Sequence, residues 1–152
     1  MGYAAAGLAP SAEAPARPYR GVAMPRSVIL QHTEPDGSSH LDWLIAPDDA
    51  PAHPDQRDLL HFRLALLPGV LALGSTTVAT SGPLHRRHYL QHEGPVPGGR
   101  GTVRRIAEGR VDVDARAADH WILHASFSDG SFTLEARRDP EQGDRWVLRR
   151  TR

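Results

Sequence analysis

The sequence predicts an all-β fold: a small single-domain β-barrel of about seven or eight mainly antiparallel strands with loop insertions. Three observations support it. A chain of 152 residues has enough surface to bury for one core and seldom enough for two. Its 13 prolines and 14 glycines are scattered, which suits many short strands joined by turns better than a few long helices. Its apolar runs are short, rich in β-branched and aromatic residues, and bounded by turn formers, a pattern shared by barrels and sandwiches.

Residues 1–25 are rich in Ala and Pro and lack a basic start before an apolar run. They predict a disordered tail, with the folded domain at 26–152. No stretch is long and apolar enough to span a bilayer as a helix, so the expectation is a cytoplasmic protein with no membrane partner. Residues 27–31, Ser-Val-Ile-Leu-Gln, are too short for a stable helix and read as a buried strand. Pro35-Asp36-Gly37-Ser38-Ser39 is a turn signal, and 40–46 alternates as the returning strand of a hairpin. Residues 46–54, with Pro47, Pro51 and Pro54, form a loop. Period alone does not separate strand from helix over 59–67; strand is the reading taken, and a further strand is expected before Gly82. Segments 102–106 and 110–113 flank Glu108-Gly109, read as the tight turn of a second hairpin. Segments 121–127 and 131–136 flank Ser128-Asp129-Gly130 as a third, with Phe132, Leu134 and Ala136 on one face. Residues 145–150 place Trp146 and Leu148 together and close the domain.

The formal charge is zero, and every basic side chain other than histidine is Arg. No dense basic stripe of the kind a dedicated nucleic-acid binder carries is present. The chain has no Cys, which excludes disulfides, thiolate ligands and thiol nucleophiles, so any metal must be held by nitrogen and oxygen.

Among nine histidines, position singles out a few. His40 and Asp42 are two apart on an expected strand, so their side chains leave the same face, and His32 ends the strand paired with it. Two imidazoles and a carboxylate suit Mn²⁺, Zn²⁺ or Fe²⁺ and leave positions open for water or substrate. A polar outer face of a hairpin would show the same spacing. A second cluster, 84–102, carries His85 and Tyr89, which share a face if the segment is extended. Pro95, Pro97 and the glycines after them form a rigid turn able to bring backbone N–H groups near an anion.

Together the two clusters resemble the 3′-phosphoesterase domain of bacterial DNA ligase D, in the manner of its stand-alone relatives. The first resembles the signature of a strand ending in Gln and His followed, after a turn, by His-x-Asp, here Gln31, His32, His40 and Asp42. The second resembles the family's segment from His to Tyr and on to Glu-Gly and a Pro/Gly turn, here His85, Tyr89, Glu93, Gly94, Pro97 and Gly98. A Gly-Thr-Val strand at 101–103 and a closing Trp-x-Leu at 146–148 extend the likeness over about 27–151. The resemblance implies a metal-binding barrel, most often with Mn²⁺, that trims 3′ ends of DNA in repair. It removes a terminal ribonucleoside and then the remaining phosphate, on primer-templates and alongside end-joining ligases, as a monomer. It also implies that His32, His40 and Asp42 hold the metal and that His85 and Tyr89 contact the scissile phosphate. One departure is plain: the family places an Arg two residues after the Asp, and here that residue is Leu44. Arg100, or Arg86 and Arg87, are the candidates to supply the missing charge. Two alternatives stand beside the enzyme: an inactive module of the same fold that binds DNA ends or a repair partner, and a metal barrel with an unrelated small substrate.

Overall fold

The computed structural model describes residues 24–152. The expected tail therefore lies outside the described residues except for Met24 and Pro25, whose carbonyls accept from Arg110 Nη1 and the Val111 amide, both at 2.9 Å.

Ten strands run in chain order: β1 (Arg26–Thr33), β2 (Ser39–Ile45), β3 (Arg57–Leu64), β4 (Thr76–Ser81), β5 (His85–Arg86), β6 (Gly94–Pro95), β7 (Thr102–Ala117), β8 (His120–Phe127), β9 (Gly130–Arg138) and β10 (Arg145–Arg150). Neighbours pair in the order β1-β2-β3-β4-β10-β9-β8-β7, and β7 returns to β1, so eight antiparallel strands close into a barrel. The barrel reading is thereby chosen over the sandwich. The two shortest strands are extras: β5 pairs with β3 and β6 with β7. No described helix is long and apolar enough to cross a membrane.

Glu108-Gly109 is not a turn. It lies inside β7, one 16-residue strand that pairs with β1 in its first half and β8 in its second. Gly109 serves close packing instead: a Cβ there would overlap the Phe127 ring and the Ser126 carbonyl, so the strands meet at that point only because the side chain is absent.

Alternation sorts each strand into two faces. Trp43, Ile45, Phe62, Leu123, Leu134 and Leu148 fill the barrel interior with Trp146, where Trp121 and Trp146 lie with ring centroids 4.4 Å apart. The outer wall of β1, β2 and β3 is also apolar over half its length. There Val28, Leu30, Leu44 and Leu59 form a second cluster with Tyr89, Leu90, Val96 and Val103. The segment between β4 and β7 thus straps across the outside of the barrel. Arg87 anchors the strap. It is 8% exposed, and it grips Asp58 through Nε at 2.7 Å and Nη2 at 3.1 Å while Nη1 reaches the Ala50 carbonyl. This corrects the expectation of Arg87 as a candidate to supply charge to a phosphate: its charge is spent inside the fold.

Candidate metal centre

Beyond the apolar half of the strapped wall, the same outer face turns polar. His32 and His40 are register partners across β1 and β2, with ring centroids 4.9 Å apart. Asp42, two residues on, shares their face, and its side chain is only 8% exposed. The Asp42 carboxylate receives His40 Nε2 at 3.2 Å on Oδ2 and His61 Nε2 at 2.7 Å on Oδ1; His32 Nδ1 stands 3.7 Å from Oδ2. Burial pushes the Asp42 carboxyl up, but the His61 hydrogen bond and the neighbouring imidazoles outweigh it and hold it below its ordinary value.

Two residues enter that the sequence reading did not assign. Glu34, just beyond β1, brings Oε2 to 3.6 Å from His40 Nδ1 and 3.9 Å from His32 Nδ1. The ligand atoms of His32, Glu34 and His40 lie within 4.8 Å of one another. The signal was present: His32-x-Glu34 repeats the spacing of His40-x-Asp42. His61 lies on the outer face of β3 opposite Leu44, and its alternation with the outward Leu59 was the available clue. Gly82 leaves room for the His61 ring, since a Cβ there would overlap Nδ1 and stand 2.8 Å from Cε1.

The donor set fits a divalent ion. Ion–ligand bonds of about 2.0–2.2 Å place neighbouring donors roughly 3–4 Å apart, and the distances from the Glu34 and Asp42 carboxylates to His32 and His40, 3.2 to 3.9 Å, fall in that range. Nitrogen and oxygen donors with two imidazoles suit Mn²⁺, Zn²⁺ or Fe²⁺.

His85 and Tyr89 do not share an extended strand, as the sequence suggested. His85 opens β5, and Arg87–Leu90 is a 3-10 turn, because a strap bending over the barrel must bury Tyr89 and Leu90 together. The turn nevertheless sets the two rings edge-on, centroids 6.1 Å apart, and His85 lies against His61 at 4.3 Å. His61 thus bridges the two motifs. His85 Nδ1 donates to the Pro83 carbonyl at 2.9 Å, leaving Nε2 as the acceptor. Burial pushes the His85 imidazole below its ordinary pKa, so it is neutral at pH 7.

Arg100 enters through its backbone. Its carbonyl accepts His32 Nε2 at 2.6 Å, while its side-chain Nε donates to Pro97 O at 2.8 Å. Arg86 pairs with Asp55 at 2.9 Å. Arg63 stands directly across from Asp42 on β3; it is exposed, and its guanidinium has no hydrogen-bond or ion-pair partner among the described residues. Leu44 is wholly buried, so an Arg in its place would have to bury its charge. No family model matches the chain, and no curated protein matches it.

Proposed function

We propose that this protein is a metal-dependent phosphoesterase that acts on 3′ ends of DNA, removing a terminal phosphate or ribonucleoside in repair. One observation carries the reading. A His/His/carboxylate cradle and the His85–Tyr89 pair, far apart in the chain, converge on one outer face and touch through His61. His32 and His40 would hold the ion with the carboxylates beside them, Asp42 on the resemblance, and Mn²⁺ is the metal that resemblance favours. A bound divalent ion supplies charge neutralisation at a non-bridging phosphate oxygen and orients water.

The chain's own groups do the rest. His85, neutral and held by Pro83, offers Nε2 as a proton acceptor toward the face it shares with His61. The Tyr89 phenol backs it. Arg63, across from Asp42, would grip the anionic group. The test is release of phosphate from a 3′-phosphorylated primer-template with and without Mn²⁺, with metal content measured after purification. Release that requires Mn²⁺ and is abolished by His40→Ala and by His85→Ala supports the reading; Mn²⁺-loaded protein that releases nothing refutes it.

The burial of Leu44 favours one second reading, a module that keeps the metal cradle and binds DNA ends without turnover. Its signature is tight, salt-sensitive DNA binding with no product.

A further inference from the structure

We infer that Glu34 is a direct ligand of the metal ion, seated with Nδ1 of His32 and Nδ1 of His40, and that Asp42 works behind His40 as the group that fixes its ring. The inference rests on the metal half of the reading above and specifies which carboxylate touches the ion.

The hydrogen bonds decide which ring nitrogens are free. A carbonyl oxygen only accepts, so His32 donates from Nε2 to Arg100 O, and its Nδ1 carries the lone pair. His40 Nε2 faces the Asp42 carboxylate at 3.2 Å, which also only accepts, so the His40 lone pair is likewise on Nδ1. His40 Nδ1 lies 3.6 Å from Glu34 Oε2, and His32 Nδ1 lies between two carboxylates, 3.9 Å from Glu34 Oε2 and 3.7 Å from Asp42 Oδ2. Three acceptors therefore meet within 4.8 Å with no donor among them. With both rings neutral such a meeting is repulsive, and a cation seated among the three relieves it.

The outer partners point the same way. A metal-bound imidazole regularly donates its far N–H to a backbone carbonyl or a carboxylate, which sets tautomer and ring angle. His32 has the first kind of partner in Arg100 and His40 the second in Asp42. Asp42 is itself fixed from behind by His61 at 2.7 Å, so both its oxygens are engaged. The Glu34 side chain accepts no hydrogen bond from a described residue and is 34% exposed, which leaves it at the mouth of the cradle with solvent beside it. Two neutral imidazoles and one carboxylate leave a divalent ion net positive, and so attractive to a phosphate.

The experiment is a Mn²⁺ titration of the full chain, following free Mn²⁺ by electron paramagnetic resonance, for wild type, Glu34→Gln and Asp42→Asn. Metal-free melting temperatures serve as the folding control. Glu34→Gln is expected to melt like wild type and to weaken Mn²⁺ binding by about a hundredfold or more; Asp42→Asn is expected to weaken it by about 10–100-fold, the range for outer-shell partners. Folded Glu34→Gln that binds within about threefold of wild type overturns the inference, as does loss of binding in Asp42→Asn alone. Wild-type protein that binds neither Mn²⁺ nor Zn²⁺ overturns both this assignment and the metal half of the proposed function. Wild-type protein that binds metal but releases no phosphate refutes the phosphoesterase reading and leaves the Glu34 assignment to the titration.

Discussion

Replacing Gly82 by Ala tests whether His61 joins the two halves of the site. The Gly82 backbone is not in the left-handed region, so Ala brings no conformational strain and acts only through its Cβ. That carbon would overlap His61 Nδ1 and lie 2.8 Å from Cε1, where ordinary contact begins at 3.4 Å, so the Cε1 contact alone requires the ring to recede by about 0.6 Å and the overlap at Nδ1 requires more. It cannot slide forward, because Nε2 is already 2.7 Å from Asp42 Oδ1. Rotation is the remaining escape, and it breaks the bond to Asp42. A hydrogen bond to a charged partner contributes about 1.5–3 kcal/mol, which for a domain of this size is a fall in melting temperature of roughly 3–12 °C. With Asp42 loosened, Mn²⁺ affinity should fall about 10–100-fold, as it does when an outer-shell partner is lost. Gly143→Ala, whose Cβ meets open space, is the control and should change neither. A Gly82→Ala protein that melts within about 2 °C of wild type and binds Mn²⁺ with wild-type affinity would refute the bridging role of His61.

Arg63→Ala should raise KM for a 3′-phosphorylated substrate by about tenfold to a hundredfold, the loss of one charge-assisted contact, while Mn²⁺ affinity stays at the wild-type value; an unchanged KM refutes the assignment. The depressed imidazole of His85 makes stability depend on pH: below its ordinary value of 6.5 the unfolded chain takes up a proton that the folded protein does not. Stability from this group is thus present above pH 6.5 and falls on acidification, so between pH 7.5 and 5 metal-free wild type should lose melting temperature faster than His85→Gln; parallel curves would contradict it. Ser27→Ala should destabilise by about 1–3 kcal/mol, because the wholly buried Ser27 Oγ accepts the Trp43 indole N–H at 2.8 Å and donates to Leu44 O at 2.9 Å; chemical denaturation with an unchanged midpoint would count against it.

Local pattern revealed those parts of the fold that local pattern determines. The hairpin of β1 and β2 and the hairpin of β8 and β9 are bounded by turn formers, and alternation gave their faces correctly. Glu108-Gly109 misled because a glycine that opens a turn and one that admits a neighbouring ring look alike until the partner is known; here the partner is Phe127, 18 residues downstream. The same limit applied to the site. His32, His40 and Asp42 could be grouped because a single hairpin aligns them. Glu34 lay in the turn, and His61 reaches Asp42 only through the pairing of β2 with β3, which alternation along one strand does not reveal. Arg87 stood as a candidate to supply charge because its three acidic and carbonyl partners come from a loop and a strand about 30–40 positions away.

The placement of the site follows from how an eight-stranded barrel is filled. A barrel of this size has an interior just wide enough for its own side chains, and here Trp43, Phe62 and Trp146 occupy it. Chemistry must then be built on the outside, where an open wall has no walls of its own. The strap supplies them: Tyr89, Leu90 and Val96 cover the apolar half of the wall and leave only its polar end exposed to solvent. The same cover buries Leu44 and removes that position from any role in binding an anion. On the proposed function, positive charge for a phosphate would come from the rim, where the β2–β3 register sets the exposed Arg63 across from Asp42.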